Sequence, residues 1–125
     1  MNKDDAKITL PDGRVAYDAV KLASIETEGV FLKDVVGKTL RVRTRNTVYE
    51  FLVKGPHEAH GRAIKEDGTL PKYLSKPVDF NINGSTWGGS MLKVGYVGVG
   101  MHMEFYDSEQ PVPITTSQIQ SIAIT

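Results

Sequence analysis

The chain contains no cysteine. That excludes thiol nucleophiles, disulfides, iron–sulfur clusters and thiolate zinc sites. Net charge is also missing, because 15 lysines and arginines cancel 15 aspartates and glutamates. The long-range field that draws a protein to nucleic acid or to an anionic membrane surface is therefore absent, and a charged ligand has to be read by a local patch. No apolar run approaches the roughly 18 residues of a membrane span, and the opening MNKDDAKITL lacks the apolar centre of a secretory signal. A soluble, cytoplasmic protein is the expectation. A chain of 125 residues is long enough to bury a core without a metal or disulfide staple, so one domain over residues 1–125 is expected, with residues 1–5 as a loose start.

What the sequence does have is alternation. From Gly84 to Asp107 it reads GSTWGGSMLKVGYVGVGMHMEFYD, and Val97, Val99, Met101, Met103 and Phe105 fall at every second position. A period of two marks a strand with one buried face, whereas helical spacing mixes these side chains with glycines. The pattern predicts one long strand over Tyr96–Tyr106 as the spine of a sheet. Pro11-Asp12-Gly13 between Ile8, Leu10 and Val15, Tyr17 predicts an opening hairpin, since proline presets φ and glycine accepts positive φ. Residues from Asp18 to Gly29 fit a short helix capped by Asp18 and stopped at Gly29, an irregular crossover or a continued strand, of which the first two are favoured.

Thr39–Thr44 alternates Leu40 and Val42 with Arg41 and Arg43, and Thr47–Lys54 returns rich in β-formers. Arg45-Asn46 between them reads as a tight reversal, with asparagine taking a left-handed conformation. Further on, His57–Gly61 and Asn83–Ser90 read as loops. Leu70–Pro77, with two prolines, reads as a loop or an edge, and Asp107–Pro113 as a connector. A short strand over Arg62–Lys65, a second at Val78–Ile82 and a last one over Ile114–Thr125 complete the count. Short strands at roughly 8 to 12 residue spacing point to an all-β fold with minor α content. The expected form is a small, partly open β-barrel or barrel-like sandwich of mostly antiparallel strands, since closure hides strand edges.

Arg41, Arg43 and Arg45 would leave such a strand on one side, about 6.6 to 6.8 Å apart. That spacing suits phosphates or carboxylates, and equally a solvated outer face. Arg41 and Arg45 form R-x-x-x-R, while Asn83, Ser85 and Gly88 form N-x-S-x-x-G further along the chain. This pair resembles the two motifs of the PilZ family, small β-barrel domains that bind cyclic di-GMP. The resemblance implies a ligand set of Arg41, Arg45, Asn83, Ser85 and Gly88, with the arginines holding guanine and phosphate. In that family the arginines precede the first barrel strand, whereas here they lie within or at the end of an alternating one.

His57 and His60 give H-E-x-H, which is not the H-E-x-x-H spacing of a helical zinc site. A third ligand would have to come from His102, Glu104 or Asp67. Ser85 and Ser90 have no G-x-S-x-G elbow around them. Gly84, Gly88 and Gly89 around Trp87 fit a wide turn or an anion-cradling loop. Trp87, Tyr73 and Tyr96 are candidates for an aromatic surface, but Tyr49 and Phe51, interleaved with the basic residues, share a face with Val53 and belong to the core, so nucleic acid is not expected.

The leading expectation is a non-enzymatic binding or interaction module without cofactor or resident metal. Its partner is an unknown protein or a small anionic ligand, and self-association is possible. The alternatives are a PilZ-like anion or cyclic dinucleotide receptor and, more remotely, a metal-dependent hydrolase.

Overall fold

A computed structural model describes residues 3–18, 28–65, 76–88, 91–107 and 112–125. The opening hairpin joins β1 (Lys7–Thr9) to β2 (Val15–Tyr17), and its turn is closed by the Gly13 N–H donating to the Leu10 carbonyl at 2.9 Å. The short strand β3 (Gly29–Phe31) runs into a 3-10 turn, Leu32–Asp34, whose Leu32 is buried.

The body of the molecule is a ring of six antiparallel strands. In order around it stand β4 (Thr39–Thr44), β5 (Thr47–Val53), β6 (Glu58–Lys65), β7 (Val78–Gly88), β10 (His102–Asp107) and β11 (Ile114–Ile124). Between β7 and β10 the chain makes β8 (Met91–Val94), which pairs with β7 outside the ring, and β9 (Tyr96–Gly98), which pairs with β3. The expected small antiparallel barrel is thus present. The β7–β10 and β11–β4 pairings close it completely, where the sequence suggested a partly open one.

Strand tilt explains how so few strands close. The two longest, β7 and β11, are each shared between neighbours. β11 pairs with β10 over residues 114–118 and with β4 over residues 119–124.

The inward face follows the alternation. Leu40, Val42, Tyr49, Phe51, Val53, Phe80, Ile82, Met103, Phe105 and Ile119 are all buried in one core cluster. Edge-to-face contacts run Tyr49–Phe105, Phe105–Phe80 and Phe80–Phe51, with ring centroids 5.4 to 5.5 Å apart.

Four expectations are corrected. First, the Tyr96–Tyr106 spine is two strands, β9 and β10. Gly100 has φ +88, its N–H donates to the Ile119 carbonyl, and the chain turns there while Val97, Met101, Met103 and Phe105 stay buried. Second, His57–Gly61 is not all loop, because β6 begins at Glu58. Its inward positions are Ala59, Gly61 and Ala63, too small to read as an apolar stripe, and a Cβ at Gly61 would run into the Glu50 carbonyl and Phe51.

Third, Asn83–Gly88 continues β7, and at Gly84 (φ +150) an added Cβ would meet the Lys93 carbonyl. Fourth, neither Arg45 nor Asn46 takes positive φ. That reversal is held instead by the Thr44 hydroxyl donating to the Thr47 carbonyl at 3.0 Å and the Arg45 N–H donating to Ser117 Oγ at 3.1 Å. Most of the expected crossover between Asp18 and Gly29, and most of the segments Leu70–Pro77 and Asp107–Pro113, lie outside the described residues. Among the described residues no helix is long and apolar enough to cross a membrane.

The inward–outward assignment on β10 is open to test by chemical denaturation. Phe105→Ala removes a fully buried ring and is expected to cost about 3–5 kcal/mol. Its neighbour Tyr106, 37% exposed, is expected to change stability by no more than about 0.5 kcal/mol when replaced by alanine. Equal losses at the two positions would contradict the assignment.

Candidate functional site

The basic residues lie on the outer wall formed by β4, β5 and β6. Arg41, Glu50 and Arg62 are direct cross-strand partners, and the two guanidiniums share the one carboxylate at 3.6 and 3.8 Å. Arg43 is exposed and makes no ion pair among the described residues. Arg45 is exposed on the β4–β5 turn. Further round the wall, His60 Nδ1 donates to Asp79 Oδ1 at 2.8 Å, and Lys54 Nζ lies 3.7 Å from the same oxygen. The hydrogen bond from His60 first, and then the Lys54 charge, hold the Asp79 carboxyl below its ordinary value.

The second motif sits elsewhere. Asn83, on β7, donates from Nδ2 to Glu104 Oε2 at 3.3 Å. The Ser85 hydroxyl is fully buried and donates to the Tyr96 carbonyl at 2.7 Å. The Gly88 N–H donates to Thr86 Oγ1 at 2.9 Å. Strands β4 and β7 are three places apart in either direction around the six-stranded ring, which puts Arg41 and Arg43 on the wall opposite Asn83 and Ser85. The fold does not bring the two motifs together around one ligand.

The histidines are likewise dispersed. His57 Nδ1 donates to the Ile82 carbonyl and His102 Nδ1 to the Thr116 carbonyl, both at 2.9 Å. A carbonyl oxygen can only accept, so Nδ1 carries the hydrogen in each. Among the described residues no group of three His, Asp or Glu side chains is placed to hold a metal. Asp67, Tyr73, Gly89 and Ser90 lie outside the described residues.

Strand β8 was not singled out by its sequence. It hangs on β7 outside the ring, and among the described residues no strand pairs with its far edge. Leu92 and Val94 are exposed, Val94 by 61%. Each borders a recess. Leu92 and Met91 form one bank of a groove of about 420 Å³ whose other bank carries His102, Glu104 and Thr115. Val94 borders a cleft of about 170 Å³ with Phe31, Lys33, Pro56 and His57.

The Lys93 ammonium is drawn aside onto aromatic faces, 4.1 Å from the centre of Tyr96 and 5.6 Å from that of Phe31. Phe31 and Tyr96 are themselves stacked edge to face at 4.9 Å. The sequence signal for this surface is the apolar pair Leu92 and Val94 on either side of Lys93, followed by Gly95, where the structure shows a bend (φ +67).

Comparison with models of known families, with curated proteins and with solved structures finds no match for this chain.

The His60–Asp79 contact makes a pH prediction. A carboxylate whose folded pKa is depressed contributes stability that is present above its unfolded pKa and is lost as pH falls through the folded one. Carboxyl titration followed by NMR should therefore place Asp79 below an ordinary aspartate, and His60→Ala should move it back up. No change on His60→Ala would contradict the assignment.

Proposed function

We propose that the chain is a non-enzymatic interaction module that receives its partner as an added strand along β8. One observation carries the reading: the ring pairs both edges of all six of its strands, whereas β8 keeps an outer edge unpaired among the described residues. A row of free N–H and C=O groups is a template for another chain, and natural proteins blunt such edges with charge, above all lysine. Here the lysine that would guard the edge is folded onto Tyr96 and Phe31, which leaves Leu92 and Val94 as the side chains a newcomer meets. Main-chain hydrogen bonds give affinity in this mode of recognition, and pockets for alternate side chains give specificity. The cleft that Val94 borders with Phe31, Lys33 and His57 is a candidate for such a pocket.

Amide hydrogen exchange, read with and without peptides selected from a display library of extended sequences, tests the reading. The amides of Met91–Val94 are expected to gain protection on binding. Selected peptides that protect another surface and leave these four unchanged would overturn it.

A second reading, an anion receptor, is favoured by the β4–β6 wall, where Arg41 and Arg62 share Glu50 and Arg43 makes no ion pair among the described residues. Guanidiniums in such surplus suit a phosphate group. This reading expects calorimetry with cyclic di-GMP to give a titratable heat that weakens at least several-fold in Arg43→Ala. Absence of heat from the unsubstituted protein removes it.

A further inference from the structure

The groove of about 420 Å³ between β8 and β10 is a recess that strand addition does not use. The pairing registers lay it out. Glu104 stands level with Gly84 on β7 and with Thr115 on β11, and His102 stands level with Thr86. On the other edge of β7, Lys93 pairs with Ser85 and Met91 with Gly88, so Leu92 falls between those rows on the opposite bank. Two strand spacings, roughly 9.4 to 9.8 Å, separate the banks. Between them Gly84 and Gly88 raise no side chain, and the Thr86 hydroxyl is engaged with the backbone of Gly88.

The lining is chemically one-sided. Glu104 accepts the Asn83 amide on Oε2 at 3.3 Å and makes no ion pair among the described residues. His102 donates from Nδ1 to the Thr116 carbonyl at 2.9 Å, so the neutral ring keeps Nε2 as an acceptor. Thr115, directly opposite Glu104, adds a hydroxyl. Among the described residues no lysine or arginine lines the groove, and Lys93, the nearest in sequence to its apolar bank, is held on Tyr96 and Phe31. A recess of acceptors around an uncompensated carboxylate suits a cation, because a charged donor makes the stronger hydrogen bond. Met91 and Leu92 offer the apolar surface on which the stem of a long cationic side chain can lie.

The count of acceptors selects the cation. A guanidinium fork is best held by both oxygens of a carboxylate, and here Asn83 occupies one of them. An ammonium is a compact charge with three donors, and carboxylate, imidazole and hydroxyl supply three acceptors. His102 and Glu104, two apart on one face of a strand, leave about 6.6 to 6.8 Å between their α-carbons, a span that one ammonium can bridge. No second carboxylate lines the groove among the described residues, so a diamine would leave its far charge unpaired against Met91 and Leu92.

We infer that this groove receives a single lysine side chain of a partner protein, its ammonium held by Glu104, His102 and Thr115 and its four-carbon stem laid over Leu92 and Met91. The inference is independent of strand addition, which takes place on the other edge of β8.

Two-dimensional NMR of the full chain, titrated with Nα-acetyl-lysine N-methylamide, tests the site. The amide signals of Thr86, His102, Glu104 and Thr115 are expected to move together and to saturate at roughly millimolar concentration. The norleucine analogue, which has the stem and no ammonium, is expected to leave them in place. The arginine analogue and cadaverine, a diamine with a stem of similar length, are expected to bind at least about threefold more weakly than the lysine analogue. Glu104→Gln keeps an acceptor for Asn83 and removes the charge, and is expected to weaken the lysine analogue about tenfold. Leu92→Ala, at an exposed position, is expected to weaken it about threefold.

The inference is overturned if the lysine analogue produces no saturable movement of those four signals, or if the norleucine analogue moves them equally. Tighter binding of the arginine analogue or of cadaverine overturns it as well, as does undiminished affinity in Glu104→Gln. The comparison of analogues is made on the unsubstituted protein, so it decides the matter even where a variant fails to fold.

Discussion

A six-stranded ring has a narrow interior, and here four aromatic rings fill it. Tyr49 and Phe105 stand on strands three places apart around the ring and touch edge to face across its width, and Phe80 and Phe51 extend the contact along the bore. Each such contact contributes about 0.5–1.5 kcal/mol beyond the burial of its rings. The bulk on β5, β7 and β10 is accommodated by smallness on β6, where Ala59, Gly61 and Ala63 face inward. Gly61 admits no side chain at all without displacing β5. With the bore given over to these side chains, recognition falls to the outside of the wall and to whatever hangs from it.

That condition gives the appended elements their interest. The ring leaves its charged side chains as a mixed lattice on the outer face, in which Glu50 and Asp79 each serve two basic partners. Such exposed pairs add little to stability. The β8–β9 excursion is different in kind. It exposes apolar side chains, holds a lysine against two rings and bends between its two strands at Gly95, whose carbonyl accepts the Leu32 N–H. The β3 segment is pinned there, and Phe31 and Lys33 are carried to the side of β8.

The parts of the fold legible in the sequence were those where large side chains alternate. The strands β4 and β5 and the inward set from Val97 to Phe105 follow from a period of two, the turn at Gly13 from its Pro-Asp-Gly chemistry, and β11 from its β-branched isoleucines. What escaped was set by small residues and by distance. The alanines and glycine of β6 carry the same alternation without apolar bulk, and Gly84 within β7 looks like a breaker although it allows β8 to approach. Gly100 hides a turn inside a perfect alternation, since period alone is silent about φ.

The candidate site was less legible still. Two short motifs matched in order along the chain, but ring order decides who faces whom, and it separates Arg41 from Ser85. Ser85 entered the ligand set through the N-x-S-x-x-G resemblance; buried, its hydroxyl is taken by the Tyr96 carbonyl.

The ring is a meander: every pairing in it but one joins strands that follow each other along the chain or are parted only by the β8–β9 excursion. The exception is the seam between β11 and β4, where Thr39 and Thr125, 86 positions apart, exchange backbone hydrogen bonds of 2.9 and 3.0 Å. Local hairpins assemble cheaply, while a long loop bears its closure entropy before any contact rewards it. Of all the pairings in the cylinder, the weld between its first and last staves is therefore the one that carries the largest closure entropy.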